Sequence, residues 1–105
     1  MYWYARFPTT RLYAVEISGW DSAEDFFVER CELEWREESG KQVALKRTLN
    51  QKAILLVRLL QADDSDRSYP VAYEAEWIGK TKSGLQQFRL SMVAPRLTEE
   101  ETSAV

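Results

Sequence analysis

The sequence predicts an all-β fold, a small antiparallel barrel of six strands. Two observations predict it. Residues 12–18, 26–36, 43–46, 53–60, 71–78 and 87–93 each alternate apolar with polar side chains, the period that sends every second residue to one face of a sheet. Between these runs stand clusters of turn-forming residues, such as Gly19-Trp-Asp-Ser-Ala-Glu24, Glu37-Glu-Ser-Gly-Lys41 and Gly79-Lys-Thr-Lys-Ser-Gly84. A third observation concerns function. The chain has no His and one Cys, so the commonest general base is missing.

Each run has its own logic. Tyr13, Val15 and Ile17 share one face of the first, with Glu16 and Ser18 opposite. In the second, Cys31, Leu33 and Trp35 alternate with Arg30, Glu32, Glu34 and Arg36, as in a sheet with one wet face. Residues 41–60 read two ways. Leu45, Leu49, Ala53, Leu56 and Leu60 would also make a helical stripe. Two short strands around an Asn50-Gln51 turn are the reading kept here. Pro70 opens the fifth strand, where a missing N–H is tolerated. Val71, Tyr73, Ala75 and Trp77 share one of its faces, and Phe88, Leu90 and Met92 form the last inward row. The expected core is Val15, Ile17, Leu33, Trp35, Val57, Trp77 and Leu90.

At 105 residues the chain is expected to form one domain, a barrel over residues 1–97 followed by an acidic tail over 98–105. Thr98 would cap a short helix there; a frayed tail is the alternative. The net charge is −3, which argues against a nucleic-acid partner. Lys41, Lys46, Arg47, Lys52 and Arg58 leave room for an anionic one, against the plain reading of a solvated face. Cys31 reads as a small buried hydrophobe, since no His is present to activate it. Asp63, Asp64 and Asp66 lack the downstream Gly and Glu of a calcium loop, so no metal is expected. No leader pattern and no apolar stretch of spanning length is visible, so a cytoplasmic location without membrane insertion is the expectation.

The order of these segments resembles the PilZ family of bacterial β-barrels. Arg6-Phe7-Pro8 followed by residues 12–19 is similar to that family's Arg-rich opening and first strand. Glu37-Glu-Ser39-Gly-Lys-Gln42 falls where the family writes Asp-x-Ser-x-x-Gly. Residues 49–57, Ala75-Glu-Trp77-Ile-Gly79 and residues 88–95 resemble its later turn and strands. The resemblance covers residues 6–95 and implies a split barrel that binds cyclic di-GMP through Arg6, Arg11, Glu37, Ser39 and Gln42. Here the chain departs from the family. Arg6 and Arg11 are separated by four residues instead of three, and Gln42 puts a side chain where the family has Gly.

Those departures favour a non-enzymatic regulatory or protein-interaction module, a degenerate PilZ-like domain without cofactor that does not bind cyclic di-GMP. The alternative is a cyclic di-GMP sensor with divergent motifs. An enzyme is the least favoured class. The expected working surface is the aromatic cluster Tyr2, Trp3, Tyr4 and Phe7, engaging a protein partner or a second copy. The competing expectation is that these rings plug one end of the chain's own barrel.

Overall fold

A computed structural model of the chain describes residues 10–60 and 69–93. It contains six strands: β1 (Thr10–Trp20), β2 (Phe26–Arg36), β3 (Gly40–Leu45), β4 (Ala53–Leu59), β5 (Val71–Lys80) and β6 (Gln86–Met92). They close in the order β1-β2-β3-β6-β5-β4, and every neighbouring pair is antiparallel. The expected all-β, six-stranded antiparallel barrel is what the chain forms. The expected C-terminal tail or helix and the Asp63–Asp66 loop lie outside the described residues.

Period-two patterning decides which side chains go inward. Val15, Ile17, Phe27, Leu33, Val43, Leu45, Leu55, Val57, Ala75, Phe88 and Leu90 are buried and form one core, with Cys31, Trp35, Leu49 and Tyr73 packed against it. Gly19 belongs to the same inward row. A Cβ there would stand 2.9 Å from Leu55 Cδ2 and 3.2 Å from the Ile54 carbonyl oxygen. The missing side chain is what lets β4 lie close to the end of β1.

The barrel has two unlike ends. β3 and β4 do not pair with each other; they stand on opposite sides of the barrel, so residues 46–52 must cross one end. The helical alternative for residues 41–60 therefore gives way to two strands joined by a crossover. Its turn is closed by the Ala53 N–H donating to the Asn50 carbonyl (3.2 Å), with Lys52 in the left-handed region. The β1–β2 and β5–β6 hairpin loops sit at this same end. Asp21 secures it. One carboxylate oxygen accepts the backbone N–H groups of Ala23 and Asp25, both at 2.9 Å, and the other accepts Arg47 Nη1 at 2.8 Å. The Ser22 N–H donates to the Thr48 carbonyl at 2.8 Å, and the Arg47 guanidinium lies over the Phe27 ring. Leu49 closes the core beneath. The other end, where β1 begins, β4 ends and the β2–β3 turn sits, is a mouth that no described segment crosses.

Five of the seven expected core residues are fully buried. Trp35 is half-buried at the mouth. Trp77 is a correction: it is 57% exposed. It pairs with buried Phe88, but the ladder shifts register between Trp77 and Gly79, and the indole N–H donates to Gln86 Oε1 at 2.8 Å. A bulge at the end of an inward row re-aims the side chain out of the core. Met92 is a second correction: it is exposed, beyond the last β3–β6 pair at Leu90 though still opposite Tyr73 of β5.

Two outcomes follow for stability. Phe88→Ala is expected to cost about 3–5 kcal/mol in urea denaturation, whereas Trp77→Ala costs less than about 1 kcal/mol. Equal losses would contradict the assignment of Trp77 to the rim. The second outcome concerns acid. Hydrogen bonds from the Asp25 backbone and from Arg47 hold the Asp21 carboxyl below its ordinary value of 3.8, against the opposing effect of burial. A group depressed in the folded state stabilises above its unfolded pKa, and that stability is lost as pH falls through the folded value. The melting temperature of wild type should therefore exceed that of Asp21→Asn at neutral pH, and the gap should narrow below about pH 3.8. A gap of constant width would show that the charge of Asp21 does not act through this network.

Candidate functional site

The residues singled out by sequence do not converge on one point. Arg6, Tyr2, Trp3, Tyr4 and Phe7 lie outside the described residues. Arg11 is on β1, Glu37 and Ser39 are in the β2–β3 turn, and Gln42 is on β3. All four are at the mouth end, but Arg11 and Gln42 lie on opposite faces of the sheet. The register pairs Arg11 with Trp35 and Trp35 with Lys41, one inward row, while Leu12 pairs with Glu34 and Glu34 with Gln42, the adjacent outward row. Gln42 Oε1 accepts Gln87 Nε2 on that outer face at 2.9 Å. Among the described residues nothing links Arg11 to Glu37, Ser39 or Gln42 by a hydrogen bond.

The inward row builds a site of its own. The Arg11 guanidinium stands 5.4 Å from the centre of the Trp35 ring, and Lys41 Nζ stands 5.7 Å from that of Tyr73. Both contacts are within cation–π range. Below them is a cavity of about 450 Å³, with Val15, Leu33 and Val57 deep in it and Tyr13 and Tyr73 on its walls. The sheet alternation that puts apolar residues inward in mid-barrel puts Arg11 and Lys41 on the same face at the rim. Parity along the strands was the signal: Arg11 continues the row of Tyr13 and Val15, and Lys41 that of Val43 and Leu45.

The presumed basic cluster is dispersed. Lys41 is in the mouth, Arg47 is paired with Asp21, and Arg58 Nη2 donates to Glu16 Oε1 at 2.9 Å. Arg30 reaches the other oxygen of the same Glu16 at 3.5 Å. The Arg58 hydrogen bond is the main reason the Glu16 carboxyl is held below its ordinary range.

Sequence reading missed the outer face of β2, β1 and β4. Val28 pairs with Ser18 and Ser18 with Leu56; Phe26 pairs with Trp20, and Ile54 follows two residues before Leu56. Trp20, Phe26 and Val28 are each more than half exposed, and Ile54 and Leu56 are exposed beside them. Trp20 and Phe26 meet edge to face, with ring centres 5.1 Å apart. Together these side chains form one contiguous apolar patch on three adjacent strands, the kind of surface that marks an interaction site. The signal was the outward parity of Trp20, Phe26 and Val28, which breaks the polar-out rule in three places.

Burial, then the charges of Glu29 and Glu32, pushes the Cys31 thiol up to about 11, so it is protonated at neutral pH and a poor nucleophile. Among the described residues no group of three or more His, Cys, Asp or Glu is placed to hold a metal ion, and no helix is long and apolar enough to cross a membrane. Comparison with family models, with curated proteins and with solved structures gave no match.

Proposed function

We propose that this protein is a non-catalytic interaction module that docks a second copy of itself through the outer face of β2, β1 and β4. The observation that carries the reading is the clustering of Trp20, Phe26, Val28, Ile54 and Leu56 on three adjacent strands. An apolar centre with a polar border is the anatomy of a protein–protein interface. The border charges fit a two-fold pairing. One end of the patch is bounded by Arg30, Glu16 and Arg58, with an excess of positive charge. The other is bounded by the exposed Glu24 and Asp25 of the β1–β2 loop. A two-fold axis through the patch sets the basic row of each copy against the acidic loop of the other, the self-complementary arrangement that such symmetry requires.

In this reading the chain is a degenerate PilZ-like barrel whose nucleotide site is lost. Support comes from the division of Arg11 and Gln42 between opposite faces of the sheet, which leaves no common surface for one ligand to engage both. The chemistry of Cys31 and the absence of His agree with a role without catalysis.

Sedimentation is expected to show concentration-dependent dimers for wild type. Trp20→Glu and Val28→Glu should each weaken the dimer by about tenfold or more, with little change in melting temperature, because both side chains are exposed. A wild type that stays monomeric to millimolar concentration, or variants that dimerise undiminished, would overturn the reading. Cyclic di-GMP is expected to leave the melting temperature unchanged; a dose-dependent rise, abolished by Arg11→Ala, would restore the sensor alternative.

A further inference from the structure

The barrel mouth holds the one arginine among the described residues that has no carboxylate partner. Of the six arginines among the described residues, Arg30, Arg36, Arg47, Arg58 and Arg89 each have a carboxylate oxygen within ion-pair distance. Arg11 is the exception among them, and Lys41, like the other described lysines, is in no ion pair. No Asp or Glu is among the described residues lining the cavity. Acidic residues outnumber basic ones in this chain by 17 to 14, so carboxylates are plentiful. Two cations are nonetheless held on aromatic rings at the rim of an apolar cavity, and their hydrogen-bond donors find no anion among the described residues.

This arrangement has the chemistry of a receptor. The deep wall of Val15, Leu33 and Val57 offers burial to an apolar body, and the rings of Tyr13, Trp35 and Tyr73 offer faces to a flat one. An anionic group at the rim would meet the guanidinium of Arg11 and the ammonium of Lys41 together, and charge-assisted hydrogen bonds of this kind are the stronger class. A volume of about 450 Å³ lies within the range of small-molecule sites, which are mostly apolar with a few placed polar groups. Tyr69 and Val71, at the start of β5, complete the wall.

We propose that the mouth binds a small amphipathic carboxylate, apolar body inward and carboxylate between Arg11 and Lys41. The site is separate from the outer face and does not depend on the docking reading above.

The test is calorimetric titration of the full chain with 2-naphthoate and, in parallel, with the uncharged 2-naphthalenemethanol. Saturable one-to-one binding of the carboxylate is expected, with the alcohol weaker by about tenfold or more. Arg11→Gln and Lys41→Gln should each weaken 2-naphthoate by about fivefold or more, while Trp20→Glu on the outer face leaves its affinity unchanged. The proposal is overturned if 2-naphthoate does not saturate, if the alcohol binds equally well, or if the double variant Arg11→Gln, Lys41→Gln keeps wild-type affinity. The comparison of carboxylate with alcohol uses the unaltered protein, so it decides the matter even where a variant fails to fold.

Discussion

The crossover between β3 and β4 is the constraint on which the barrel depends. The first three strands form one meander and the last three another, and each presents an inward apolar row that it cannot bury alone. The ladders β1–β4 and β3–β6 join them, and both require residues 46–52 to pass over the end of the barrel. Asp21 makes that passage definite. Its carboxylate ties its own hairpin loop through two backbone N–H groups and reaches Arg47 in the crossover, which in turn lies flat on the core residue Phe27. Loop, crossover and core are thus linked by one side chain of low exposure, and the groups it satisfies would otherwise lack partners at a covered barrel end.

The two ends of the barrel are built differently. No chain segment among the described residues spans the mouth, so the inward parity there carries charges in place of hydrocarbon. The exterior shows the opposite departure. On β2, β1 and β4 the outward parity carries Trp20, Phe26, Val28, Ile54 and Leu56, where a solvated sheet face would be polar. The two surfaces of interest are therefore the places where alternation is kept as geometry but broken as chemistry. They share no residue, so one can be altered without touching the other.

Much of the fold was legible because burial in a small barrel follows parity. Val15, Ile17, Leu33, Val57 and Leu90 were placed correctly from alternation alone. The same rule failed for Trp77, because position along the strand matters as well as parity, and a bulge at the last inward position turned its indole outward. Parity puts Arg11 in the row of Tyr13 and Val15, but not over a cavity. Whether a charge at a strand start faces solvent or the barrel axis depends on the register across β2 and β3, and register between distant segments is not written in local periodicity. Lys41, Arg47 and Arg58 looked like one basic cluster in the chain and are three unrelated environments in space. The motif residues Glu37, Ser39 and Gln42 could be placed at a turn and a strand from sequence, but that Gln42 lies on the face opposite Arg11 could not.

The two closing ladders also bear on how the chain reaches this state. The β1–β2, β2–β3, β4–β5 and β5–β6 ladders join consecutive strands, whereas β1–β4 pairs Ile17 with Val57 and β3–β6 pairs Val43 with Phe88. Contacts of such sequence separation carry the larger entropic cost of loop closure and slow the search for the native topology. Closure joins the inward rows of both meanders into one buried core, so the barrel gains its cooperativity at the step that is hardest to reach. Asp21 and Arg47, by holding the crossover in place, shorten the effective loop that this step must close.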